Sequence, residues 1–208
     1  DGSITLMELA ADAGVKAFVY SSSILVYGDV AAAVDADTPT NPVLDYGRIK
    51  LDTEKRLAEM AAAAGLTFCA LRLPHVYGPQ AIYFQQLNSG LLVLPGWGKN
   101  IYTHQHLFDT ARILIACAEQ EYSGITPMGD DEPATWQAFT ALVKTLVPGT
   151  RVLAVPQWLG LIVAAVLIPF RRFRPLPGIE TPGAVRTFNC RTAVKPGLVR
   201  KDLGLPLR

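Results

Sequence analysis

Phe18-Val19-Tyr20-Ser21-Ser22-Ser23-Ile24-Leu25-Val26-Tyr27-Gly28-Asp29, followed after a polar loop by Tyr46-Gly47-Arg48-Ile49-Lys50, is the stretch on which the fold turns. Val15 to Tyr20 is β-branched and aromatic, the composition of a strand buried on both faces of a parallel sheet, and it follows Gly14, which stops a helix. The three serines therefore fall at the carboxyl end of a strand. In an open parallel sheet that end is where ligands bind, so the hydroxyls are placed for chemistry.

Tyr46 and Lys50 stand four residues apart at the head of a segment, Tyr46 to Ala64, rich in Leu, Ala, Glu, Lys and Arg. On a helix this spacing puts both side chains on one face. A phenol that trades protons near neutral pH must lose about three units from its ordinary pKa, roughly 4 kcal/mol. An ammonium about 5 Å away at an effective dielectric near 20 contributes roughly 3 kcal/mol of that, and an oxidised nicotinamide would add the rest. Ser23 would then hold a substrate oxygen while Tyr46 moves the proton. The plain alternative is a surface helix whose Tyr and Lys face water.

Four pieces in order, Gly14 to Ser23, Val26-Tyr27-Gly28, Tyr46 with Lys50, and Leu71-Arg72-Leu73-Pro74-His75-Val76-Tyr77-Gly78-Pro79, resemble the extended short-chain dehydrogenase/reductase family. That family contains NAD(P)-dependent sugar epimerases, dehydratases and 3β-hydroxysteroid-type dehydrogenases. The resemblance implies Ser23, Tyr46 and Lys50 as the catalytic set. It also implies Ser22, Ser23, Tyr46, Lys50 and Pro74 as contacts to NAD or NADP. Substrate contacts would come from Ser23, Tyr46 and His75. His75 stands where sugar-nucleotide members usually carry Asn, so its alternatives are substrate contact and simple packing at a strand end. Arg72, at the end of its strand, reads as an ion-pairing or hydrogen-bonding residue of the interior.

The implied architecture is an α/β fold, a partial doubly wound parallel Rossmann-type sheet with a smaller C-terminal substrate-binding region. Residues 1–79 would be the second half of the NAD(P)-binding domain. Residues 80–208 would form a mixed substrate-binding region, with about 101–131 returning to the sheet. The family's Gly-rich turn, whose amides cradle pyrophosphate, has no counterpart in the chain, which therefore reads as a fragment of a longer enzyme.

The 208 residues are half hydrophobic, and the net charge of +1 comes from scattered basic residues, which argues against a nucleic-acid partner. Cys69, Cys117 and Cys190 are far apart in apolar runs, which suggests reduced thiols and a cytoplasmic setting. His104 and His106 alternate but lack a third ligand at suitable spacing, so no metal is expected. A homodimer is compatible with the family. Beyond Pro79 the pattern predicts a helix from Gln80, a strand at Leu91 to Leu94, and a helix from about Thr110 to Glu119. A further helix, Thr135 to Val147, carries Trp136, Phe139, Leu142, Val143 and Leu146 on one stripe. Val152 to Phe170 holds no charge and precedes Arg171 and Arg172, but Pro156 interrupts it, which favours a cover over an apolar pocket above membrane contact.

Together these features point to an oxidoreductase that moves a hydride between a secondary alcohol or ketone and a nicotinamide. A hydrophobic, steroid-like substrate is the first expectation and a sugar-nucleotide epimerase or dehydratase the alternative. A non-catalytic NAD(P)-binding regulator is the competing class, and retention of Ser23, Tyr46 and Lys50 together argues against it.

Overall fold

The computed structural model describes residues 2–79, 90–147, 149, 151–169 and 181–206. In chain order its elements begin with α1 (Gly2–Asp12), β1 (Ala17–Ser23), a 3-10 turn (Ile24–Val26), α2 (Asp45–Ala64), β2 (Thr67–Leu73) and β3 (His75–Tyr77). Next come β4 (Leu91–Pro95), β5 (Ile101–Tyr102), β6 (His104–His106), α3 (Leu107–Glu119) and β7 (Gly124–Pro127). The chain continues through β8 (Ala134–Thr135), α4 (Trp136–Leu146), β9 (Arg151–Val155), α5 (Gln157–Leu167), α6 (Pro182–Thr187) and α7 (Leu198–Asp202). Two units emerge: Asp1–Val76, Thr103–Glu132 and Thr192–Arg208 make the first, Tyr77–Tyr102 and Pro133–Arg191 the second.

In the first unit β1, β2 and β7 form a parallel sheet in that order, with Ala17 opposite Thr67, Ser23 opposite Leu73, and Cys69 opposite Gly124. Helix α2 makes the crossover between β1 and β2 that a parallel pair requires. It starts with Asp45 in its first turn and stops at Gly65, whose φ of +69° suits the left-handed cap. Gly47, Glu54, Leu57 and Ala61 fall on its buried face. Leu57 and Ala61 pack there with Ile4, Met7, Tyr20, Phe68 and Ala70. The other face of the sheet is covered by Ile113, Ala116 and Cys117 of α3 with Val199 of α7 and Leu203, against Cys69 and Leu71. The result is a three-layer α/β arrangement. Complete burial of a side chain such as Leu57 contributes about 2 kcal/mol.

Several elements differ from the sequence expectation for identifiable reasons. Strand β1 begins at Ala17 and contains the serines, because the Val15 amide donates to Ala10 O and closes the end of α1. On α4 the buried face is Trp136, Phe139, Thr140 and Val143, while Leu142 and Leu146 are exposed at the margin of the expected stripe. The helix expected from Gln80 lies outside the described residues.

In the second unit β4 and β9 pair in parallel, and β5 pairs antiparallel with β8. The uncharged run is divided at Pro156 between β9 and α5. Gly160 of α5 lies against Pro95 and Val185, and Trp158, Ile162 and Val166 point outward. Among the described residues no helix is long and apolar enough to cross a membrane.

Candidate functional site

Ser23 ends β1 and is buried, its Oγ accepting from the Leu25 amide at 3.2 Å. This bond caps the 3-10 turn and fixes the hydroxyl at the carboxyl end of the strand. Gly47 brings α2 to the same place. A β-carbon on Gly47 would stand 2.5 Å from the Leu25 carbonyl oxygen, so only glycine allows the first turn of α2 to press on the residues that follow Ser23. Tyr46 is thereby presented beside β1 with 53% of its surface exposed, accessible to a ligand.

One turn further along α2, the Lys50 ammonium donates to the Ser21 carbonyl at 2.8 Å. It also lies 4.8 Å from the centre of the Tyr20 ring and 5.8 Å from that of Tyr46. Loss of water lowers the pKa of Lys50, partly opposed by Glu54, and raises that of Tyr46. The upward shift at Tyr46 is opposite in direction to what proton transfer at neutral pH needs. A positive charge brought by a ligand would act in the required direction.

Beneath these residues lies a buried polar network. Glu54, one turn after Lys50, receives the Ser22 hydroxyl hydrogen and is held by Arg72, with Arg72 Nη2 to Glu54 Oε2 at 2.9 Å. Arg72 Nη1 donates to the Tyr27 hydroxyl at 2.9 Å, which in turn donates to Asp35 O at 2.6 Å. Arg72 is thus an internal ion pair, and the Val26-Tyr27-Gly28 motif is one of its supports. Every charge in the network is matched, which is the condition for burying it. Sequence reasoning misses Glu54, although its spacing from Tyr46 and Lys50 on α2 places the three on one helical face.

Pro74 follows β2 at the carboxyl end of the sheet, the same end as Ser23. His75 is linked to His104, with Nδ1 to Nδ1 at 3.0 Å, so one ring donates and the other accepts. Burial and the neighbouring ring push His75 down to about 3, which keeps it neutral at physiological pH. His106 caps α3 by accepting from the Phe108 amide. Cys69, Cys117 and Cys190 are buried thiols.

A lysine anchored on Ser21 O, an exposed phenol on the same helix and a buried Ser23 at the carboxyl end of β1, the end where a parallel sheet binds ligands, are residue types that fit the nicotinamide end of a dinucleotide.

Residues 1–127 match the model of the NAD dependent epimerase/dehydratase family. An uncharacterized protein, y4nG, of Sinorhizobium fredii is 29% identical over 164 residues, covering 75% of this chain and 41% of the relative. A UDP-glucose 4-epimerase of Lactobacillus helveticus is 40% identical over 78 residues, covering 37% of this chain and 24% of the relative. The solved structure of MoeE5 in complex with UDP-glucose and NAD superimposes with a TM-score of 0.75 at 22% identity, covering 99% of this chain and 64% of that one. The chain therefore spans less than two thirds of the length of each of these relatives.

Proposed function

The chain belongs to the NAD dependent epimerase/dehydratase family, and on that premise we propose that it carries the proton-transfer residues of an enzyme acting on a sugar nucleotide. The observation that supports this reading is that Lys50 bonds Ser21 O at 2.8 Å, two residues before Ser23 at the carboxyl end of β1, with its ammonium 5.8 Å from the centre of the Tyr46 ring. Bound NAD supplies the hydride acceptor. Lys50, held by Ser21 O, would bond the nicotinamide ribose, and Pro74 would lie against the ring. Ser23 would bond the oxygen of the sugar carbinol while the Tyr46 phenolate takes its proton, becoming the phenol that returns the proton to the keto oxygen when the hydride comes back. Desolvation raises Tyr46; the positive charges of Lys50 and of a bound nicotinamide would act against it.

A sugar nucleotide is preferred to a steroid-like substrate for two reasons. Curated relatives are UDP-glucose 4-epimerases. Neither His75 nor the apolar run around α5 calls for an apolar ligand, since His75 is paired with His104 and α5 turns Trp158, Ile162 and Val166 outward.

The test is to express the protein from its complete gene and incubate it with NAD and a panel of UDP- and dTDP-hexoses, following products by NMR. Conversion at the sugar C4 position supports the proposal. Bound NAD without turnover of any hexose, or turnover of hydroxysteroids alone, would replace it with a regulator or a steroid dehydrogenase respectively.

A further inference from the structure

A helix on the surface of a globular protein ordinarily turns charged or polar residues to water, and α5 does not. Its buried residues are the small ones, Gly160 and Ala164, and Gly160 seats it against Pro95 and Val185 of the same unit. The opposite face carries Trp158, Ile162 and Val166 at four-residue spacing, exposed by 63%, 54% and 59%. Leu159, Val163 and Ala165, beside that stripe, are exposed as well. Across this face the indole N–H of Trp158 is the one side-chain group able to hydrogen-bond. An apolar strip of this kind left in water marks a surface that meets another body.

The charge pattern around α5 says what that body is. From Pro133 to Ile179 the sequence contains Lys144, Arg151, Arg171, Arg172 and Arg174 and no Asp or Glu. Lys144 and Arg151 are exposed, and Arg151 opens β9, the strand that leads into α5. Docking two copies of the chain through this face about a twofold axis would set like charges against each other, with no carboxylate from the same stretch to match them. A protein partner of another kind would look for about one hydrogen bond per 100–200 Å² of contact, which the outward face of α5 does not offer.

An anionic bilayer meets both conditions. Acyl chains ask for no hydrogen bonds, and acidic headgroups complement basic residues that flank an apolar helix. The ring of Trp158 suits the boundary between the two layers, where its N–H reaches headgroup oxygens. Length fixes the orientation. The 11 residues of α5 rise about 16 Å, roughly half of a hydrocarbon core about 30 Å thick. The helix would therefore lie in the surface and not across it. We propose that α5 docks this protein on anionic phospholipid membranes, lying in the plane of the interface with Trp158, Ile162 and Val166 pressed between the headgroups.

The experiment is co-sedimentation of the protein, expressed from its complete gene, with sucrose-loaded vesicles of phosphatidylcholine alone or of phosphatidylcholine with one third phosphatidylglycerol. The expected result is saturable binding that is about tenfold or more tighter on the vesicles containing phosphatidylglycerol. Ile162→Glu combined with Val166→Glu should weaken that binding by about tenfold or more while thermal unfolding stays unchanged, since both side chains already face water. If the double variant fails to fold, Trp158→Ala in the same assay, with an expected loss of about threefold or more, and the comparison of the two lipids decide. No binding to either vesicle, equal affinity for both, or unweakened binding by a folded variant would overturn the proposal. So would a lipid-free dimer, seen by analytical ultracentrifugation, that Ile162→Glu disperses, because α5 would then be a contact between copies.

Discussion

Gly47 lies so close to Leu25 that a β-carbon on it would stand 2.5 Å from the Leu25 carbonyl oxygen and 3.0 Å from the carbonyl carbon. The obstacle is backbone, which cannot rotate away as a side chain can, so Gly47→Ala must displace the first turn of α2. That turn carries Tyr46. The substitution is expected to cost about 1–3 kcal/mol of stability and to lower turnover more than it lowers NAD affinity. Urea denaturation together with steady-state kinetics checks both, and an alanine variant with unchanged kcat would show that the contact does not position Tyr46.

Removing one partner of the Glu54–Arg72 pair leaves a buried charge unmatched. Glu54→Leu is therefore expected to destabilise by about 3–5 kcal/mol, and adding Arg72→Met to it should recover a large part of the loss. Chemical denaturation of the two single variants and the double variant tests this. If the double variant equals the sum of the singles, the pair is not coupled as the structure shows.

His75 should make the fold acid-sensitive. Its folded pKa of about 3 lies below the ordinary 6.5, so between those values the unfolded chain binds more protons. Stability is then full above about pH 6.5 and falls with pH by at most about 1.4 kcal/mol per unit. Asp130 acts in the opposite sense, since its raised pKa adds stability as pH falls from about 6 toward 3.8. Comparing the protein with His75→Asn separates the two. The variant should lose about 1–2 kcal/mol less between pH 7 and pH 5, and identical slopes would refute the assignment.

Much of the site is legible in the sequence because its signals are local. The four-residue spacing of Tyr46 and Lys50 puts both on one face of α2, and a lone Arg72 at the end of an apolar strand already implies an internal partner. What escapes a sequence reading depends on distant partners. Glu54 reaches Ser22 and Arg72 across 32 and 18 residues of sequence. Val15 has the composition of a strand, yet its amide serves the end of α1. The pairing of His75 with His104 likewise joins residues far apart in the chain.

The central claim is that Tyr46 transfers the proton while Lys50 and Ser23 hold its surroundings. The most direct measurement is the steady-state turnover of Tyr46→Phe, in the protein expressed from its complete gene, alongside NAD affinity by calorimetry. Removing one hydroxyl from a half-exposed ring leaves the packing intact. The account predicts NAD affinity within about twofold of the unmodified protein and kcat lower by a factor on the order of a hundred or more. Turnover within about threefold, with NAD bound normally, would contradict it.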